Sequence, residues 1–336
     1  MNGELRIAVV TGGGGFVGLA LTRRLRELGI EVRTIQRNRY AELGACGAIQ
    51  YTSDLGDPQL DLGKILNGAD VVFHTAAKVD MWGPYEDFYQ ANVQVTQRLL
   101  DAARQAGVRR FVFTSSPSVI ARHENLCGVD ESQPYPPSYL AHYPATKAEA
   151  ERKVLSANTE DFKTLALRPH LIFGPGDRHL IPTVLERARA GKLPQIGAGQ
   201  NRSDFCFIND CVEAHLCAAR ALDINPNAAG KPYFITQGEP VSLWGWIHEV
   251  VRRSGIAPIR STVPARLAYT LAFFCEMFSR ILPSLGEPRL TRFLVSQMST
   301  EHFFSIEAAR SQLGFTPHYS MRESLDLTFE APPTQR

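Results

Sequence analysis

Short apolar runs without polar alternation punctuate the first half of the chain: Arg6–Thr11, Val32–Gln36, Val71–Thr75, Phe111–Ser115 and Thr164–Leu167. A strand with one wet face alternates apolar and polar positions. A strand covered on both faces does not, so these runs predict a buried parallel sheet. Between them, Gly15–Leu28, Leu60–Leu66, Phe88–Gln105 and Pro144–Ala157 carry helical patterns. Repeated strand–helix–strand order predicts an α/β fold with a doubly wound parallel sheet.

After Phe173 the pattern loosens. Breakers cluster at Gly174-Pro175-Gly176-Asp177, Gly197 to Gly199, Asn225-Pro226 and Gly238 to Pro240, and apolar helices follow. The most apolar, Ala265–Leu282, places Leu267, Tyr269, Leu271, Phe273, Phe274 and Phe278 on more than one helical face. Such a helix belongs in a core, or against lipid or an oily ligand. Glu276 and Arg280 interrupt it, and it falls short of the about 20 apolar residues that a membrane span needs. The amino terminus reaches a strand within a few residues and shows no leader pattern, so a soluble, cytoplasmic protein is expected.

A net charge of +2 over 336 residues gives no strong field for nucleic acid. The six cysteines form no Cys-x-x-Cys pair. Cys206, Cys211, His215 and Cys217 invite a zinc reading, but they sit on a strand running into a helix, where cysteine is usually a small buried hydrophobe. No metal is expected.

The first strand runs directly into Thr11-Gly12-Gly13-Gly14-Gly15-Phe16-Val17-Gly18, which opens a helix. Glycines here permit the tight turn, let backbone N–H groups approach a pyrophosphate, and let helix and strand pack closely. The helix terminus adds free donors and partial positive charge. This context predicts a Rossmann dinucleotide-binding domain over residues 1–175. A smaller C-terminal substrate lobe should fill most of 176–330, with a disordered tail at 331–336. Segments near 203–238, notably Phe205–Ile208 and Tyr233–Ile235, are expected to return to the first sheet. The second strand ends Ile35-Gln36-Arg37-Asn38-Arg39, without the acidic residue that binds an NAD ribose. A guanidinium grips a 2′-phosphate, so NADPH is the expected cofactor rather than NADH, with Arg37 as main contact and Arg39 behind it.

Tyr143-Pro-Ala-Thr-Lys147 places a phenol and an ammonium one helical turn apart. A nearby ammonium lowers a phenol's pKa from about 10 and makes it a usable general acid. Thr114-Ser115-Ser116-Pro117-Ser118 ends another strand, where reactive groups of open α/β sheets gather. Ser116, or next Ser115, can donate to a substrate carbonyl; the other reading is a serine-rich turn capping its own backbone.

With these residues the chain resembles the extended short-chain dehydrogenase/reductase superfamily along nearly its whole length. Within it, the chain looks most like the 3β-hydroxysteroid dehydrogenase/isomerase branch and the bacterial 2-alkyl-3-oxoalkanoate reductases of long-chain olefin biosynthesis. The segments that carry this are Ala76-Ala77-Lys78 through Trp82-Gly83 and Tyr85, Thr114 to Val119, Gly174 to Asp177, and Leu290 to Val295. The resemblance implies catalysis by Tyr143, Lys147 and Ser116. It implies cofactor contacts from Gly12, Gly15, Phe16, Val17, Gly18, Arg37, Asp54, Leu55, Ala76, Ala77, Lys78, Asn92, Tyr143, Lys147 and Pro169. Trp82, Tyr85, Ser116, His170 and Arg178 become candidates for the substrate, with His179 another cation for a carboxylate. The implied reaction is reduction of the 3-keto group of a long-chain 2-alkyl-3-oxoalkanoic acid. Alternatives are a steroid or sterol dehydrogenase, a nucleotide-sugar epimerase, or a non-catalytic NADPH-binding regulator. A homodimer through Phe88–Gln105 and Pro144–Ala157 is also implied, as is docking to other olefin-pathway enzymes.

Overall fold

The computed structural model describes residues 5–282, 286–288 and 290–330; the tail 331–336 lies outside them. Seven strands form the main sheet: β1 (Ile7–Thr11), β2 (Glu31–Gln36), β3 (Ile49–Thr52), β4 (Val71–His74), β5 (Arg110–Thr114), β6 (Lys163–Pro169) and β7 (Pro232–Ile235). Their order across the sheet is β3-β2-β1-β4-β5-β6-β7, and every neighbouring pair is parallel. The longer helices are α1 (Phe16–Glu27), α2 (Val95–Gln105), α3 (His142–Ser156), α4 (Leu180–Arg189), α5 (Ile208–Ile224), α6 (Leu243–Arg253), α7 (Ala265–Ile281) and α8 (Met321–Glu330).

The unbroken apolar runs are explained by burial on both faces. Successive strand side chains point to opposite sides. Ala8, Val10, Val32, Phe73, Val112 and Leu165 meet Leu21 and Leu25 of α1 and Ala214, Ala218 and Leu222 of α5. Val9, Ile35, Val72 and Phe111 meet Leu99 and Ala103 of α2 and Ala150 and Val154 of α3. Only β3 escaped the sequence pattern. It is an edge strand whose residues are exposed or half-buried, so it needs no continuous apolar run.

The smaller lobe has its own core, with Trp244, Trp246 and Val250 of α6 packed near Ala268 and Ala272 of α7, Val295, Phe173 and Phe205. A four-stranded sheet joins Val241–Ser242, Arg202–Ser203, His302–Phe304 and Leu126–Val129. The last strand comes from the first half of the chain, so the lobes interlock. Tyr233–Ile235 lies in β7 of the main sheet. Phe205–Ile208 does not return there as expected: Cys206 and Phe207 pair with Ile172 and Phe173 in a separate ladder. β7 already occupies the edge beside β6, and the rings of Phe205 and Phe173 pack on Trp246 in the second lobe.

Candidate active site

Sheet order reverses between β1 and β4, and the loops leaving their carboxyl ends open the crevice where such folds bind nucleotides. Gly12 turns the chain there with φ of +70°, and a Cβ on it would lie 2.9 Å from the Ala76 backbone. A Cβ on Gly18 would lie 2.2 Å from the Gly12 carbonyl oxygen. Both positions thus exclude a side chain, and Ala76 lies against the glycine loop. Gly15 caps α1 without a side-chain bond, and the first turn, containing Phe16 and Val17, carries no acid. Its N–H groups remain available to an anion.

The end of β2 places a neutral side chain, not an arginine, against the glycine loop. Gln36 is buried, and its Oε1 has no hydrogen-bond partner. That oxygen lies 3.1 Å from where a Gly13 Cβ would stand, at the glycine loop. An unpaired acceptor there suits a ribose hydroxyl, which can donate, and repels a phosphate, which cannot. Arg37 and Arg39 are exposed. Asp54 and Leu55 follow β3 in a turn in which Asp54 accepts from the Gly56 N–H at 2.7 Å.

Tyr143 occupies the first turn of α3 and Lys147 the next. The Tyr143 phenol lies beside the Ser116 hydroxyl; burial raises its pKa and that hydroxyl opposes the rise. Ser116 caps a short 3-10 turn, its oxygen accepting from the Ser118 N–H at 3.2 Å, which leaves its proton free to be donated. Ser115 is buried behind it, its hydroxyl unpartnered. The spacing suggested an ammonium beside the phenol. Instead Lys147 Nζ donates to the Thr114 carbonyl at 2.6 Å and lies 3.9 Å from the centre of the Phe113 ring. Burial pushes its pKa down to about 7, with the Glu151 carboxylate opposing.

A polar scaffold holds these groups. Asn92, buried on a π-helical stretch, accepts from the Lys78 N–H at 2.7 Å and donates to the Lys78 carbonyl and Thr146 Oγ1, both at 3.1 Å. It thereby ties the loop after β4 to α3. His74 bridges Thr11 and Thr96 at 2.7 and 2.9 Å, and burial lowers its pKa to about 3, so it is a neutral strut. Behind Lys147, Glu151 and Arg168 form a buried pair, with Arg168 Nε 3.0 Å from Glu151 Oε2 and the Tyr135 hydroxyl donating to Glu151 at 2.6 Å. Neither Gln36 nor Glu151 was singled out from sequence; Glu151 sits four residues after Lys147, the spacing that would have flagged it.

Among the substrate candidates, Arg280 lies 5.6 Å over the Trp82 ring, and the Tyr85 ring meets His142, the neighbour of Tyr143, at 5.5 Å. The loop after β4 and the end of α7 therefore converge on the start of α3. Three other candidates go elsewhere. His170 is buried, with Nδ1 2.7 Å from Asp204, because that carboxylate is sealed between the lobes and also accepts from the Phe304 N–H. Arg178 reaches Glu42 at 3.1 Å and the Gly14 carbonyl at 3.5 Å, beside the glycine loop. His179 is exposed ahead of α4. Pro169 is buried at the end of β6. Cys206, Cys211 and Cys217 lie in the core, and His215 bonds the Thr114 hydroxyl at 2.8 Å.

A model of the 3-beta hydroxysteroid dehydrogenase/isomerase family matches residues 9–265. The chain belongs to that family. It is 42% identical over 321 residues to the 2-alkyl-3-oxoalkanoate reductase of Stenotrophomonas maltophilia, covering 94% of this chain and 96% of that one. It is 36% identical to 3beta-hydroxysteroid-dehydrogenase/decarboxylase isoform 1 of Arabidopsis thaliana, covering 97% and 79%. Among solved structures, MoeE5 in complex with UDP-glucose and NAD superposes with a TM-score of 0.72 at 26% identity, covering 96% and 97%. The chain is thus a nicotinamide-dinucleotide-dependent oxidoreductase of Rossmann fold. The expectation of NADPH is corrected: MoeE5 is bound to NAD in both of its complexes, in keeping with the acceptor that Gln36 offers. The narrower substrate is not decided by these likenesses. The sequence relatives include keto-acid reductases, whereas the matching structures are mostly nucleotide-sugar enzymes.

Proposed function

We propose that the chain reduces the 3-keto group of a 2-alkyl-3-oxoalkanoic acid to the 3-hydroxy acid with NADH, Tyr143 supplying the proton. The observation that carries this is the juxtaposition of the Tyr143 phenol and the Ser116 hydroxyl at the carboxyl end of β5, supported by the 42% identity to a reductase of such acids. The glycine loop, Gln36, Lys78 and Lys147 would hold the dinucleotide, which when bound supplies the hydride. Ser116 and Tyr143 both donate to the carbonyl oxygen and stabilise the charge that grows there. Tyr143 then passes its proton to that oxygen. Lys147, anchored on the Thr114 carbonyl, would supply a donor for the ribose. Asn92 keeps Lys78 and α3 in register.

A second reading, a nucleotide-sugar epimerase, is favoured by the sugar-nucleotide complexes among the structural relatives. One assay separates them. NADH oxidation is followed with β-keto acids, steroid ketones and UDP-glucose, and sugar products are analysed in parallel. Oxidation of NADH only with the β-keto acids supports the reductase. Conversion of UDP-glucose without net NADH consumption would replace it with the epimerase.

A further inference from the structure

His215 is a polar ring in an apolar place. It lies fully buried on α5. Its neighbours there, Ala214, Ala218 and Leu222, belong to the apolar core, and the Phe73 ring stands 6.3 Å away. An aliphatic side chain would bury at this position without cost, whereas an imidazole needs both ring nitrogens bonded. Both are. Nδ1 lies 2.7 Å from the Cys211 carbonyl, one turn back on the same helix, and Nε2 lies 2.8 Å from Thr114 Oγ1. A carbonyl only accepts, so Nδ1 carries the proton. In the neutral ring Nε2 is then the acceptor, and the Thr114 hydroxyl donates to it.

Thr114 is the last residue of β5. The peptide that follows it donates its N–H, that of Ser115, to the Leu167 carbonyl on β6 at 2.6 Å. In a trans peptide the carbonyl points the opposite way, here towards β4, the other neighbour of β5. The β4 ladder stops at His74, which pairs with Phe113, so no strand residue stands opposite Thr114. Lys147 Nζ takes that place and donates to the Thr114 carbonyl at 2.6 Å. Two bonds thus hold the peptide that receives the ammonium, one to Leu167 and one, through the side chain, to His215. Glu151 on α3 and His74 on β4 are the titratable groups whose charge couples to that of Lys147.

We propose that His215 is a positioning residue: through the Thr114 hydroxyl it fixes the peptide whose carbonyl seats the Lys147 ammonium, and so holds that ammonium ready for the dinucleotide ribose. The relay runs from α5 on one face of the sheet, through β5, to α3 on the other. It rests on the dinucleotide seat proposed for Lys147, and not on which ketone is reduced.

The test is fluorescence titration of the full chain with NADH from acid to alkaline pH, beside melting curves. The wild type should bind NADH less tightly as pH rises through about 7, where burial places the Lys147 pKa. Thr114→Val combined with His215→Leu removes both partners of one buried bond and leaves neither unsatisfied, so the double variant should melt close to wild type. Its loosened Thr114 carbonyl should nevertheless move the falling limb to lower pH by about one unit, the lower end of what a hydrogen bond to a charged group is worth. A merely structural histidine would not give that shift at native stability. Thr114→Val alone, a methyl for a hydroxyl, gives the same reading if the double variant does not fold. His215→Gln puts an amide oxygen near the position of Nε2 and should restore the wild-type limb. A limb that stays in place without the Thr114 hydroxyl overturns the relay, as does a glutamine variant displaced as far as the double. A wild type that binds NADH equally across the range overturns both the relay and the Lys147 seat. The titration needs no ketone, so a chain that titrates as expected but reduces no β-keto acid overturns the keto-acid reading alone.

Discussion

Lys147 offers the sharpest pH test of the proposed chemistry. Its ammonium is held near neutrality, with burial pushing the pKa down to about 7 and the Glu151 carboxylate holding it up. The charged form is the stronger donor to a ribose hydroxyl, so kcat/KM, which reports the free enzyme, falls as pH rises through about 7. Glu151→Gln removes the opposing carboxylate and leaves the buried Arg168 cation behind it. Both changes disfavour the ammonium, and losing an adjacent opposite charge moves a pKa by about 1–3 units. A one-unit move takes the charged fraction at neutrality from roughly one half to roughly one tenth, so kcat/KM falls roughly fivefold there. The acid plateau stays where it was. An unpaired Arg168 also costs about 3–5 kcal/mol of stability. The companion variant Glu151→Gln with Arg168→Met removes that cost and keeps the shift. The assay is the pH profile of kcat/KM for all three proteins. A falling limb that stays in place in both variants would refute the claim that Glu151 sets the state of Lys147.

Three further outcomes follow from the same geometry. Tyr143→Phe should lower kcat about 10²–10⁴-fold while NADH affinity, read by fluorescence titration, stays within about twofold of wild type; near-native turnover would remove Tyr143 as the acid. Gln36→Leu should weaken NADH about three- to tenfold, the worth of one neutral hydrogen bond, and calorimetry of the wild type should show NADH bound more tightly than its 2′-phosphorylated counterpart. Lys147→Met should flatten the dependence of the melting temperature on alkaline pH. The unfolded lysine keeps its proton to about 10.4 and the folded one only to about 7. Between these values the unfolded chain binds more protons, so the lysine contribution makes wild-type stability rise with pH. An equal slope in Lys147→Met would count against the buried position.

The sheet was legible because burial on two faces writes itself into sequence as continuous apolar runs, and β1, β2, β4, β5 and β6 all carry them. The glycine loop was legible for a similar reason: a backbone pressed against Ala76 leaves no room for any other residue type at Gly12. Tyr143 and Lys147 share a helix, so spacing alone placed them near each other. What spacing could not give is direction. Lys147 points to the Thr114 carbonyl and not at the phenol, because the carbonyls at the end of β5 need donors and only the folded sheet brings one there. His170 was taken for a substrate contact, since nothing local announces Asp204, 34 residues away, as its partner.

The cofactor error has the same origin. Sequence offered two arginines and a missing acid at the end of β2, and charge counting made the arginines the recognition element. Yet side chains on one strand alternate sides, and the last residue of β2 turns towards the glycine loop. That position is Gln36, a neutral residue which charge counting passes over, while Arg37 faces water. Helix α7 repeats the point on a larger scale. Its apolar content was plain in the sequence, but residues apolar on more than one face do not say which face meets the lobe. Alanines and serine let the helix pack closely on the lobe, and that close contact turns the leucine and phenylalanine stripe outward. In both cases the residue types were readable and the face was not. The variants that discriminate best are therefore those that change which face is apolar or which face accepts a hydrogen bond, leaving composition nearly untouched.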